Sequence, residues 1–111
     1  MKVRYKKIGE YQGPEMTIGK DYDVLGIEGN YYRVIDDSGK PYLYDPEQFE
    51  VLDNSEPKCW CTEYIDGDRY SYPKKWNQRG FFEDYHDGVQ DVIDQFWHDC
   101  KELYGIDKGT A

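Results

Sequence analysis

Two short runs bring together side chains that ligate metals or act as nucleophiles, Cys59-Trp60-Cys61 and His98-Asp99-Cys100. Thiolates and imidazoles are the usual donors of a tetrahedral zinc site, so these groups are its raw material. Their spacing works against it. His98 and Cys100 fall on a stretch with helical periodicity, where residues two apart point to roughly opposite sides, so both cannot face one ion. Cys100 lies on the apolar stripe of that stretch and reads as core, while Cys59 and Cys61 flank Trp60 on a strand. A Cys–His nucleophile pair would use the same residues, but nothing in the chain supplies the third group that orients the base. Acidic pairs stand at Asp36-Asp37 and Glu83-Asp84, in a turn and at a helix start. Carboxylates at such places serve local hydrogen bonds and the helix dipole, and both pairs read as solvated. No glycine-rich phosphate loop, HExxH, GxSxG or EF-hand pattern is present. The expectation is a binder rather than an enzyme, with no catalytic residue, no metal and no cofactor.

The elements that must position any binding surface follow from period-two patterning in the first half. Val3, Tyr5 and Ile8 suggest a first strand, and Gly9 to Glu15, containing Gly13-Pro14, a loop. A second strand runs through Tyr22, Val24 and on to Ile27, ended by Glu28-Gly29-Asn30. Tyr32 to Ile35 make a third, Asp36 to Gly39 a tight turn, and Tyr42 to Tyr44 a fourth. Asp45-Pro46-Glu47-Gln48 suits one helical turn with Pro at its first position, and Phe49 to Val51 form a fifth strand.

Residues 16–52, MTIGKDYDVLGIEGNYYRVIDDSGKPYLYDPEQFEVL, resemble an SH3-like domain of the bacterial type. The likeness rests on an apolar-x-x-Gly-x-x-apolar-x-Val opening, an aromatic pair after the next loop, and Pro-x-x-aromatic-x-Val at the end. It implies a five-stranded barrel over residues 1–53, with Tyr31, Tyr44, Pro46 and Phe49 close together as an aromatic contact patch. The Ala-Leu-Tyr-Asp-Tyr run of peptide-binding members is lacking, and the pair is Tyr31-Tyr32 rather than tryptophans.

Residues 54–111 read as a hairpin and helix packed on that barrel to make one cooperative unit, an α+β, β-rich protein. Ile65 to Trp76 echo Ile35 to Phe49: hairpin, Tyr-x-Tyr, Pro, then an aromatic three residues on. Partial duplication and convergence on good hairpin chemistry explain the echo equally well. Cys59 to Tyr64 and Arg69 to Tyr72 should pair around Asp66-Gly67. Phe81 to Tyr85 suit a separate helical turn. The clearest element is a helix from Val89 to Tyr104, with Val89, Val92, Ile93, Phe96, Cys100, Leu103 and Tyr104 on one stripe. Phe96 should anchor it, and Trp97 stands at the stripe's edge. Asp91, Asp94, Asp99 and Glu102 make an acidic outer face. Asp87 with Gln90 resembles a capping box, Gly105 a stop, and residues 106–111 should fray.

The chain of 111 residues suits a single domain, and its aromatic share of 17%, with twelve tyrosines, can build a core in a polar composition. Net charge is -9, concentrated in two acidic blocks, 21–56 and 81–111. Nucleic-acid binders need a basic face, so direct DNA or RNA binding is disfavoured. The charged N-terminus and the absence of a long apolar run suggest no signal peptide and no membrane partner, and the odd cysteine count suggests a reducing cytoplasm. The expected partner is another protein. One reading is a small interaction module of bacterial or phage type. The alternative is an acidic inhibitor, an immunity or anti-defence protein, filling the basic cleft of a nucleic-acid-handling protein.

Overall fold

In the computed structural model, which describes residues 1–6 and 15–108, seven strands form one antiparallel sheet that is followed by helices. Strands β1 (Lys2–Tyr5), β2 (Asp21–Glu28), β3 (Tyr31–Ile35), β4 (Pro41–Tyr44) and β5 (Phe49–Asp53) lie in the order β4-β3-β2-β1-β5. Ile8 and most of the expected first loop lie outside the described residues. The expected barrel does not close. A single 3₁₀ turn at Pro46–Gln48 carries the chain from one end of this order to the other, so β5 pairs with β1 while β4 and β5 stand apart. The architecture is an α+β protein with an open antiparallel sheet.

β2 organises everything else because it is long enough to serve three neighbours. One edge pairs with β3; the other pairs with β1 at Asp21 to Asp23 and with β7 at Ile27 and Glu28. Between Val24, opposite Val34, and Gly26, opposite Arg33, the register shifts and Leu25 is the extra residue. A bulge of this kind resets the alternation of side chains across the sheet. Tyr22, Val24 and Ile27 therefore enter one apolar cluster, with Val3, Tyr5, Met16, Val34 and Phe49, while Leu25 enters another.

The second hairpin joins β6 (Trp60–Ile65) to β7 (Asp68–Pro73) around Asp66 and Gly67, whose φ angles of 52° and 85° are the left-handed values a two-residue turn requires. A 3₁₀ turn at Lys74–Asn77, not anticipated from the sequence, follows and buries Trp76. α1 (Phe81–His86) and α2 (Gln90–Tyr104) then cover the face of the sheet that Leu25 and Ile35 supply. The capping box does not form: Val89 caps α2 without a side-chain bond, and Gln90 donates to Asp94 instead. Gly105 does stop the helix, at φ 68°, with its N–H donating to Lys101 O and that of Ile106 to Cys100 O. Ile106 does not fray but packs on the helical cluster.

Phe96 is fully buried at the centre of this second cluster, ringed by Trp76, Phe82, Tyr85 and Trp97. Trp97 belongs to the core and donates to Tyr85 Oη at 3.0 Å. Leu103 and Val89, at the ends of the stripe, are exposed. Gly26 is where sheet and second cluster meet most tightly, since a Cβ there would lie 2.1 Å from the Tyr72 ring.

Candidate functional site

The four residues expected to form an aromatic patch are not brought together on one surface. Phe49 is 4% exposed and fills the first core, in ring contact with Tyr5, Tyr22, Tyr32 and Tyr44. The pairing of Phe49 with the buried Tyr5 on β1 explains this, and the burial does not continue along β5, where Glu50 to Asp53 remain exposed. Tyr44 is half-buried and donates its hydroxyl to Asp36 at 2.6 Å; burial first, and then that carboxylate, push its ionisation upward. Only Tyr31, 50% exposed, and Pro46 face outward, sharing a shallow depression of about 300 Å³ with Asn30, Asp45 and Glu47.

The Asp36-Asp37 pair is not the solvated turn its sequence suggests. Asp36 is buried and accepts from the Ser38 amide and hydroxyl as well as from Tyr44. Asp37 accepts from Thr17, Lys20 and Tyr22. Burial opposes its ionisation, but the hydrogen bonds from Lys20, Thr17 and Tyr22 outweigh that and hold the carboxyl below its ordinary range. These carboxylates tie the turn to β2 and β4, which is a structural task.

On α2, Asp91 and Asp94 are exposed as expected, and Asp99 is not. It is 7% exposed and accepts from the Trp76 indole at 3.0 Å and from Gln95 at 2.8 Å. Position 99 lies one turn beyond Gln95 and three residues past Phe96, so it falls at the edge of the buried face, where an indole N–H needs an acceptor. Glu83, Asp84 and Asp87, from α1 and the turn after it, are likewise exposed. Six other acids are ion-paired: Asp23 with Lys2, Asp21 with Arg4, Asp37 with Lys20, Glu28 with Arg33, Glu56 with Arg69 and Asp107 with Lys101. None of Glu83, Asp84, Asp87, Asp91 and Asp94 has an ion-pair partner among the described residues.

A cleft of about 460 Å³ opens between the β6–β7 hairpin and the segment 77–83, and sequence reasoning did not find it. Its floor holds Arg33, 6% exposed, whose Nε donates to Tyr72 Oη at 3.1 Å, Nη1 to Pro41 O at 3.1 Å and Nη2 to Glu28 Oε1 at 3.2 Å. The guanidinium carbon lies 3.9 Å from the centre of the Phe82 ring. Tyr72 donates in turn to Glu28 Oε1 at 3.0 Å, and its burial pushes its ionisation upward. A basic residue inside an otherwise apolar strand was the available signal, since Arg33 stands between Tyr32 and Val34.

The cysteines are dispersed. Cys100 is fully buried, and burial pushes its thiol upward; Cys59 is half-buried with Sγ 3.8 Å from Tyr104 Oη; Cys61 is exposed. Among the described residues no three His, Cys, Asp or Glu side chains gather closely enough to hold a metal ion, and no helix is long and apolar enough to cross a membrane. Comparison with protein families, with curated proteins and with solved structures returns no match for this chain.

Proposed function

We propose that this chain is a non-enzymatic protein-interaction module, an SH3-like sheet carrying a helical layer, and that it presents the acidic face of its helices to a basic protein. The observation that carries the reading is a run of five exposed carboxylates from Glu83 to Asp94 that have no ion-pair partner among the described residues, whereas Asp21, Asp23 and Glu28 on β2 sit in ion pairs. The helix dipoles favour Glu83, Asp84 and Asp91 in the first turns, but five like charges over twelve residues still repel one another. A complementary basic surface would steer association and gain from the same charges. In its more specific form the partner is a nucleic-acid-handling protein, whose phosphate-binding cleft the row of carboxylates would occupy; the chain is then an inhibitor of the immunity or anti-defence kind.

The test combines capture with kinetics. A partner retained on the immobilised chain at low salt should be released by salt, and Glu83→Lys with Asp91→Lys and Asp94→Lys should slow its association at least tenfold while leaving the fold intact. Unchanged association across salt concentrations would remove the acidic face from the mechanism. Loss of the partner's nucleic-acid binding on addition of the wild-type chain would select the inhibitor form.

A further inference from the structure

We infer that the cleft over Arg33 is a receptor for a cationic side chain, arginine above all, contributed by the basic partner; this rests on the interaction reading above. The cleft has a size ordinary for a ligand site, about 300 to 1,000 Å³. Its chemistry is that of acceptors left over once internal demands are met. Arg33 donates from each of its three nitrogens to an acceptor within the protein, so its charge is already engaged. Glu28 uses Oε1 for both Arg33 and Tyr72, and its second oxygen has no hydrogen-bond partner among the described residues.

Asn77 adds the second acceptor. Its Nδ2 donates to the Cys61 carbonyl at 2.8 Å, which fixes the orientation of the amide. Among the described residues Asn77 Oδ1 is the buried side-chain atom that lacks a hydrogen-bond partner. A buried acceptor left unpaired is rare and calls for a donor, which reaches this covered atom only as the side chains over it shift. The lining charges point the same way, with carboxylates at Glu28, Asp66 and Glu83 against guanidiniums at Arg33 and Arg79. The partly exposed ring of Tyr70 in the lining suits a planar delocalised cation, which stacks on ring faces. The floor already shows the mode of recognition: Arg33 itself is held by a carboxylate, a carbonyl and the face of Phe82. Of the two guanidiniums in the lining, Arg33 is engaged and Arg79, which is exposed, is the one left to meet an anion.

The experiment titrates the intact protein with N-acetyl-arginine amide and follows the Asn77 side-chain amide and Trp76 indole signals by NMR. Saturable shifts are expected with this probe and not with its neutral citrulline counterpart. Arg79→Glu should tighten binding about threefold and Glu83→Lys weaken it about as much, both being exposed residues that leave the fold alone. An equal response to citrulline, saturation by inorganic phosphate in place of arginine, or no saturable response would each overturn the inference. Preference for free L-arginine over the capped probe would assign a small molecule and overturn the side chain as source. If the probe fails while reversal of the helical acids still slows the partner, this inference falls and the interaction reading stands. If the probe binds while association ignores those charges, the interaction reading falls, and with it the partner's side chain as the source.

Discussion

Phe49 and Trp76 hold equivalent positions in two differently built cores. Each stands three residues after a proline at a 3₁₀ turn, Phe49 just past the turn and Trp76 within it, and each is the hub of its cluster. Phe49 is surrounded by tyrosines from strands, two of which send hydroxyls to the carboxylates of the β3–β4 turn, Tyr22 to Asp37 and Tyr44 to Asp36. Trp76 is surrounded by Phe81, Phe82, Phe96 and Tyr104, and the polar ends of its cluster are satisfied inside the fold. Trp76 reaches Asp99, Trp97 reaches Tyr85, and Trp60 reaches Tyr104, whose hydroxyl donates to Leu25 O. The same local device thus serves a core tied to the turn carboxylates Asp36 and Asp37 and one whose polar ends bond among its own aromatics and to Asp99. The first should respond to pH, the second to loss of packing.

Truncating the two hubs tests the comparison hardest. Trp76→Ala and Phe49→Ala should each cost about 3–5 kcal/mol, and urea unfolding should remain a single transition because β2 contributes to both clusters. Because Trp60 packs on the first core, a Trp60→Phe background lets indole fluorescence report the second core through Trp76 and Trp97, and there, in Phe49→Ala, a fluorescence transition lagging behind the circular dichroism one would split the protein into separable halves. Gly26→Ala should cost up to about 3 kcal/mol by driving a methyl into the Tyr72 ring, where the two cores touch. Asp99→Ala should cost about 1–3 kcal/mol by orphaning the Trp76 indole; a neutral result in thermal melts would return Asp99 to the solvated face.

The pH response separates the cores more gently. Because the folded Asp37 carboxyl lies below its ordinary value, the unfolded chain takes up its proton first as pH falls. Its contribution is complete above about pH 4 and is lost as pH drops through the folded value. Asp37→Asn should flatten that limb in urea midpoints measured against pH, and a variant with the wild-type profile would deny the first core its acid sensitivity. Smallest of all, Asp91→Lys with Asp94→Lys should alter stability by no more than about 0.5 kcal/mol per site.

Much of this was legible locally. The turn at Asp66-Gly67, the stop at Gly105 and the stripe around Phe96 are written in short windows, and each element formed within a residue or two of its expected bounds. Side-chain fates that depend on distant partners were not legible. Asp99 reads as an outer-face residue until Trp76, 23 residues earlier, is seen to need an acceptor. Asp36 reads as turn solvation until Tyr44 arrives over it. Phe49 fitted both a surface patch and an inward alternation, and the register with Tyr5 on β1 decides for the core. The cleft draws on β2, β3, β7 and the segment 77–83, so no window of sequence contains it.

The extra residue at Leu25 has a consequence for how this chain can change length over time. Side chains on a strand alternate with a period of two, so gaining or losing one residue within β2 would exchange the occupants of both cores at once. Tyr22 and Val24 would turn toward the helices, or Leu25 and Ile27 would swap allegiance, and no repacking on one face could repair the other. The chain is therefore bound to a fixed count between Asp21 and Glu28. Its freedom to lengthen lies at turns such as Gly29-Asn30 and Asp66-Gly67, where insertion moves neither register.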